Sequence, residues 1–254
     1  MKIHGLQKMT LLDFPGRVAC TVFLGGCDFR CPFCHNFELV IGTAPPVMDD
    51  AELLAFLEKR KGLLDGVAIT GGEPCLHPDL PELMRKIRAL GFAVKLDTNG
   101  YHPELLGQIL DEGLADYIAM DVKNSPEKYA VTCGVEKMDL APVRESIRLI
   151  TEHGAGSGSG AAAGAAAAET GAADDAPSFD YEFRTTVVKE LHEAADFEEI
   201  GQMIRGARHY FLQSFTDRDT VPFGGFSAHT PEDLRRFAEI VRKYADDVQL
   251  RGVE

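Results

Sequence analysis

The chain lacks tryptophan, long apolar runs and any excess of basic residues. None of its 254 residues belongs to a run near the ~18 apolar residues of a membrane-spanning helix, so no membrane segment is expected. The opening residues, MKIHGLQK, carry no signal-peptide core, which favours a cytoplasmic location. Asp and Glu (40) outnumber Lys and Arg (26), giving a net charge of −14. This acidity argues against a nucleic-acid partner, because phosphate contacts require a basic face.

The chain also has few cysteines, and half of them lie close together in the sequence. Of six cysteines, Cys27, Cys31 and Cys34 form the pattern Cys-x₃-Cys-x₂-Cys within eight residues. In a cytoplasmic chain, clustered thiols indicate metal binding rather than disulfides. Thiolates are soft ligands that suit an iron–sulfur cluster, and three of them leave one iron of a [4Fe–4S] cube open. Such an iron can hold a substrate and react with it.

A structural zinc site is the alternative interpretation of the same cysteines. Zinc usually takes four ligands from paired Cys or His residues. The fourth ligand here would be His35, which directly follows Cys34, or one of the three isolated cysteines, Cys20, Cys75 and Cys133. Because neither choice gives a usual zinc spacing, the pattern favours an iron–sulfur cluster. A second cluster built from the isolated cysteines is not expected.

Short apolar strands alternate with amphipathic helices along the chain. Strands are predicted at 18–24, 66–70, 93–97, 117–121, 181–188 and 210–213. Helical spacing predicts helices near 80–90, 105–110 and 140–150, and a capping signature at Thr230 opens a last helix. Such alternation produces parallel strands with right-handed crossovers. Since six strands are too few for a closed eight-stranded barrel, we expect one α/β domain over 1–254, a partial and open (β/α)₆ barrel.

One segment interrupts this pattern. Residues 154–178 read GAGSGSGAAAGAAAAETGAADDAPS, and 17 of these 25 residues are Gly or Ala. Such a segment buries too little surface to offset its ordering entropy, so a flexible surface insertion is predicted. A tolerated loop expansion is favoured over a docking tether.

Polar motifs follow the predicted strands, at the end where barrels of this type carry their active sites. Residues 70–74, TGGEP, combine Gly71 and Gly72, which allow close backbone approach, with the carboxylate of Glu73. The next two strands end in DTNG and DVK, which supply Asp97, Asn99, Asp121 and Lys123. Without the cysteines, a buried salt bridge and an Asn-Gly turn would be the simpler interpretation.

Four further positions have more than one interpretation from their pattern alone. Arg184 lies within the fifth strand, where it either points inward to a ligand or is exposed at an edge. Gln213 ends the sixth strand. His35 and Asn36 follow the last clustered cysteine, where they either bond the loop or tune the cluster.

Taken together, these motifs resemble those of the radical S-adenosylmethionine (SAM) superfamily. The runs GLQKMTLLDFPG (5–16), CHN (34–36), DTNG (97–100), AMDVK (119–123) and EFRTT (182–186) are similar to the glycyl-radical-enzyme activating proteins. Within these, the chain is most like the activating protein of anaerobic ribonucleoside-triphosphate reductase. The resemblance covers nearly everything except 154–178.

The resemblance implies SAM bound at the open iron and split by one electron into methionine and a 5′-deoxyadenosyl radical. That radical would take a Cα hydrogen from a glycine of a partner protein. The implied site comprises the ligands Cys27, Cys31 and Cys34, the SAM contacts Gly71, Gly72, Glu73, Asp97, Asn99, Asp121, Lys123, Arg184 and His35, and a small cation near Asp97 and Asp121.

The implied partners are a glycyl radical enzyme, expected to be anaerobic ribonucleotide reductase, and an external one-electron donor such as flavodoxin or ferredoxin. Two other radical SAM functions stay open: a pyruvate formate-lyase-type activase, and an enzyme acting on a small heterocycle.

Overall fold

The structure, a computed structural model, describes residues 1–156 and 179–253. The strands within these ranges are β1 (Lys2–Ile3), β2 (Gly5–Thr10), β3 (Ala19–Leu24), β4 (Met48–Asp49), β5 (Gly66–Gly71), β6 (Ala93–Thr98), β7 (Tyr117–Asp121), β8 (Asp180–Val187), β9 (Ala207–Ser214) and β10 (Ala245–Arg251). The α-helices are α1 (Phe37–Val40), α2 (Asp50–Glu58), α3 (Leu80–Ala89), α4 (Pro103–Asp111), α5 (Tyr129–Thr132), α6 (Ala141–Gly156), α7 (Ala194–Met203) and α8 (Pro231–Val241). A 3₁₀ turn spans Pro74–Leu76.

The main sheet has the strand order β10-β9-β8-β7-β6-β5-β3-β2. Strand β3 and the strands from β5 to β10 run parallel, whereas β2 pairs antiparallel with β3. The order ends at β2 and β10 rather than joining them, so the sheet stays open. The predicted partial, open α/β barrel is confirmed. Strands β1 and β4 form a separate antiparallel pair.

All six predicted strands are present, as β3 and β5 to β9, but the predicted strand count was too low. The sheet also contains β2 and β10 at its two edges. Neither contains an apolar run: β2 exposes Gln7, Lys8 and Met9 in succession, and β10 opens with Ala-Asp-Asp. An edge strand has a neighbouring strand on one side only and is less buried than a central strand. Its sequence can therefore do without an apolar run, and the hydrophobic pattern does not reveal it.

The strands present different chemistry on their two faces, because successive side chains alternate. One face, which includes Leu96 and Met120, packs with the helices in the main apolar core. The other face carries Asp97, Asp121 and Arg184 into a cavity. A small apolar cluster of Phe14, Ala19, Tyr117 and Ala119 also forms on the sheet. No helix in the described ranges is both long and apolar enough to cross a membrane.

The Gly/Ala-rich insertion starts later than predicted. Helix α6 continues through Gly156, and Gly154 is buried, with the Arg208 guanidinium donating to its carbonyl at 2.7 Å. A Cβ at Gly154 would overlap the Tyr181 ring, which explains a glycine there. Residues 157–178 lie outside the described residues, so the predicted surface loop stays a prediction for them.

The predicted capping signature of the last helix is confirmed. Thr230 accepts a hydrogen bond from the Asp233 N–H at 3.1 Å, and the Asp233 carboxylate accepts one from the Thr230 N–H at 3.3 Å.

Thr230→Ala removes one of these bonds and should lower the free energy of unfolding by about 1 kcal/mol, measured by urea denaturation. The exposed loop residue Thr220 is the control, and Thr220→Ala should stay within about 0.5 kcal/mol of wild type. Equal effects of the two substitutions would contradict the capping role.

Candidate active site

A cavity of about 330 Å³ lies at the carboxyl ends of the parallel strands. Every site residue predicted from sequence lines it: Cys27, Cys31, Cys34, His35, Gly71, Gly72, Glu73, Asp97, Asn99, Asp121, Lys123 and Arg184. Gln213 and Asn36 line it as well. Residues from six strands and their following loops therefore meet at one place. Their individual roles stay predictions.

The cysteine loop after β3 is held from several sides. The Asn36 amide donates to the Gly71 carbonyl at 3.1 Å, which ties it to the loop after β5. The His35 ring stacks on Phe215, and its Nε2 lies 2.7 Å from the Thr216 carbonyl beyond β9. These contacts fix where the three thiols face the cavity.

The three thiols differ in how readily they ionise. Burial raises the pKa of Cys27 to about 12 and also raises that of Cys34. A hydrogen bond from the Cys133 thiol, acting against burial, lowers the pKa of Cys31 to about 7. Cys133, predicted to be isolated, thus lies beside a cluster cysteine. The sequence offers no local signal for this contact, since it joins distant segments.

The donor set fits an iron–sulfur cube. Three soft sulfur donors border one cavity, and in a cube each thiolate binds a different iron. In the ranges that the structure covers, no three or more His, Cys, Asp or Glu side chains converge on a single ion.

The two glycines of the TGGEP run bring protein backbones together. Gly71 has φ of 122°, and a Cβ there would overlap the Leu24 carbonyl. A Cβ at Gly72 would overlap the Gly26 carbonyl just before Cys27. The Gly72 and Glu73 N–H groups donate to the Leu24 and Gly26 carbonyls, each at 2.8 Å. From the sequence, Gly71 and Gly72 were expected to let the backbone come close to a ligand. In the structure, they let it come close to the start of the cysteine loop.

Glu73 is buried and firmly held. Its carboxylate accepts from the Cys75 N–H at 2.9 Å, the Thr98 hydroxyl at 2.7 Å and the Asn99 N–H at 2.6 Å. Burial nevertheless raises the pKa of this carboxyl. A cationic group placed beside it would therefore be stabilised strongly, because it would offset that cost.

A compact charge cluster forms the opposite side of the cavity. Arg184 points inward and pairs with both Asp97 and Asp121, with 3.2 Å from Nη2 to the Asp97 carboxylate. Lys123 donates to Asp121 at 2.6 Å, and Lys95 pairs with Asp97. The exposed-edge alternative for Arg184 is wrong. Of these cations, Arg184 and Lys123 line the cavity, where a guanidinium and an ammonium group suit an anionic group of a ligand.

The same cluster sets the ionisation of its carboxylates. Burial opposes their charge, but Arg184 and the neighbouring lysines outweigh it and hold the pKa of Asp97 and Asp121 below the ordinary range. Both carboxylates already have cationic partners. The predicted small cation beside them stays a prediction.

A layer of residues beneath the cavity was missed from sequence. Glu182 is only 1% exposed and accepts from both Arg251 nitrogens at 2.7 Å and from the Tyr117 hydroxyl at 2.8 Å. Period-two alternation from Arg184 would have placed Glu182 on the same face of β8. Arg251 had no such signal, because β10 was not predicted.

Comparison with known proteins agrees with this geometry. The family model of the radical SAM superfamily matches residues 21–161, more than half of the chain. The chain therefore belongs to the radical SAM superfamily and is an enzyme. That membership implies a [4Fe–4S] cluster and SAM.

Proteins of similar sequence indicate which kind of radical SAM enzyme the chain resembles. A Methanocaldococcus jannaschii protein, provisionally named a glycyl-radical enzyme activating enzyme, is 27% identical over 99% of this chain and 96% of its own. Pyruvate formate-lyase-activating enzymes of Clostridium pasteurianum and Listeria monocytogenes are 31% and 33% identical. Those matches cover 48% and 50% of this chain, and 52% and 56% of theirs, so the chain spans about half the length of these two relatives. The chain is thus related to glycyl-radical enzyme activating enzymes.

Solved structures share the fold. Streptococcus suis SuiB superposes with a TM-score of 0.59 at 15% identity, over 91% of this chain and 48% of that one. Archaeal TYW1 superposes with a TM-score of 0.55 at 13% identity, over 89% of this chain and 72% of that one.

The charge cluster predicts a pH-dependent contribution to stability. Asp121→Asn leaves Arg184 and Lys123 short of a partner and should lower the free energy of unfolding at pH 7 by roughly 2–3 kcal/mol. Because the native pKa of Asp121 is depressed, its stabilisation is complete above the unfolded value of about 3.9 and is lost as pH falls through the native value. The difference between variant and wild type should therefore shrink below about pH 4.

Urea denaturation across a pH series measures this difference. The exposed Asp111 at the end of α4 serves as control, and Asp111→Asn should stay within about 0.5 kcal/mol of wild type at pH 7. A difference for Asp121→Asn that grows on acidification would show that the cluster does not stabilise this carboxylate.

Proposed function

We propose that this enzyme reductively cleaves SAM and abstracts a Cα hydrogen from one glycine of anaerobic ribonucleoside-triphosphate reductase. The observation that carries the proposal is the cavity at the strand ends, which the three thiols line together with Glu73, Arg184 and Lys123. The thiols hold the iron–sulfur group, and the opposite side holds an amino acid-like ligand. An open barrel side lets a loop of another protein reach this cavity.

The protein's own residues have distinct tasks. Cys27, Cys31 and Cys34 bind the [4Fe–4S] cluster, which supplies the electron that splits SAM. The buried Glu73 suits the SAM ammonium group, because a cation there offsets the burial of its carboxylate. Arg184 and Lys123 suit the SAM carboxylate.

The remaining lining supports binding and keeps water out. Asn99 lies 3.7 Å from the Cys27 sulfur through its amide nitrogen, and His35 ties the cysteine loop to the region beyond β9. Phe29, Phe33 and Val40 add apolar surface to the cavity. Such surface excludes water from a reactive site. Gly71 and Gly72 position Glu73 against the cysteine loop, and Asp97 and Asp121 orient Arg184.

The partners and location follow from this function. The whole-length relative named for glycyl-radical enzyme activation supports a glycyl radical enzyme as substrate. Flavodoxin or ferredoxin supplies the electron, and a cytoplasmic, anaerobic setting protects the cluster. Pyruvate formate-lyase is the second candidate partner, favoured by the two relatives named for activating it.

Loss of one ligand should abolish SAM cleavage. Cys31→Ser, reconstituted anaerobically with iron and sulfide and then reduced, should form 5′-deoxyadenosine at least ~100-fold more slowly than wild type. Chromatography of the products measures this rate. The buried Cys20, which lies outside the cavity, is the matched control, and Cys20→Ala should keep its activity. Full cleavage by Cys31→Ser with iron still bound would overturn the cluster assignment.

The partner can be identified by electron paramagnetic resonance. The reduced enzyme with SAM should produce a glycyl doublet when mixed with anaerobic ribonucleotide reductase. No doublet should form with pyruvate formate-lyase or with a reductase whose radical glycine is alanine. A doublet only with pyruvate formate-lyase would transfer the proposal to that partner. Cleavage without a doublet on either protein would contradict activation of both.

A further inference from the structure

Cys133 is built against the cysteine loop although the mechanism above gives it no task. The Arg30 N–H donates to the Cys133 carbonyl at 2.8 Å, so the two backbones touch directly beside Cys31. The next residue, Gly134, has φ of 66°, and a Cβ there would overlap the Arg30 carbonyl. Only glycine permits this approach without displacing the loop.

The two side chains also meet. Cys133 and Cys31 belong to the same buried cluster, and the neighbouring Cys133 thiol lowers the pKa of the Cys31 thiol. Cys133 is fully buried, whereas Cys31 is 8% exposed and borders the cavity. A small molecule that enters the cavity therefore reaches Cys31 first, with Cys133 directly behind it.

We propose that Cys31 and Cys133 form a reversible disulfide when the chain is free of metal and a peroxide enters the cavity. Hydrogen peroxide oxidises the Cys31 thiol to a sulfenic acid and releases one water. The Cys133 sulfur then attacks the Cys31 sulfur, forming the S–S bond and releasing a second water. The two thiols lose two electrons and two protons, and these reduce the peroxide to water.

The disulfide protects a ligand that the proposed function requires. A sulfenic acid left exposed proceeds to sulfinic and sulfonic acids, which dithiols do not reverse. A disulfide is instead restored by thiol exchange. The cross-link itself needs no assumption about function. Its consequence, that cluster loading waits for a dithiol reductant, rests on the proposed function.

Peptide mapping of the metal-free wild-type chain tests the cross-link. After treatment with hydrogen peroxide and alkylation of free thiols, trypsin places Cys133 in peptide 129–137 and both Cys31 and Cys34 in peptide 31–59. Mass spectrometry should find these two peptides joined, with fragmentation locating the bond at Cys31. Dithiothreitol should separate them. A bond between Cys31 and Cys34, or Cys133 recovered as a free alkylated thiol, would overturn the proposal.

Variants test the protection. Cys133→Ala is compared with Cys20→Ala, which removes another fully buried thiol, after circular dichroism confirms that both are folded. Following peroxide and then dithiothreitol, wild type and Cys20→Ala should bind iron at their unoxidised level, and Cys133→Ala at least ~3-fold less. Equal recovery by all three chains would refute protection by Cys133. Failure of every unoxidised chain to bind iron would contradict the proposed cluster and leave the mapped disulfide standing.

Discussion

Charge pairing across the inner face of the sheet makes the cavity possible. Arg184 bridges Asp97 and Asp121, which lie on two different strands, so one guanidinium fixes the spacing of three neighbouring strands. Burying a single one of these charges would cost several kcal/mol, whereas the paired set is tolerated. Arg184 and Lys123 also line the cavity, where they can meet an anionic group of a ligand. Structure and recognition therefore use the same side chains.

The cysteine loop depends on a second constraint, the contact between the loops after β3 and β5. Gly71 and Gly72 are required because Leu24 and Gly26 occupy the space of their side chains. This contact joins the two halves of the site, because backbone hydrogen bonds from Gly72 and Glu73 tie the loop of Glu73 to the start of the cysteine loop. A substrate amino group held by Glu73 would thus keep a fixed distance from the thiols.

Many features of the fold and of the cavity were predictable because local sequence patterns indicate them. The six strands follow from their apolar runs, the Thr230 cap from the sequence that opens the last helix, and most of the twelve cavity residues from short motifs at strand ends. Features that depend on distant pairing were not predictable. Strand β10 is polar, so Arg251 and its bond to Glu182 left no mark on the hydrophobic pattern, and Cys133 meets Cys31 only through the folded backbone. The start of the insertion was misplaced because Gly154, chosen by packing against Tyr181, reads as part of a glycine-rich run.

An open sheet has two edge strands with which other molecules could pair. Among the residues that the structure describes, β2 and β10 each have a neighbour in the main sheet on one side only, and unpaired backbone groups at such edges can pair with strands of other molecules. Lys8 on β2 and Asp246 on β10 are exposed charges at these borders. Pairing of β2 with β2, or of β10 with β10, of another molecule would bring like charges together, so the charges that hid both strands from the hydrophobic pattern also disfavour these two pairings. Access for a large substrate and resistance to aggregation are thereby reconciled in the same two strands.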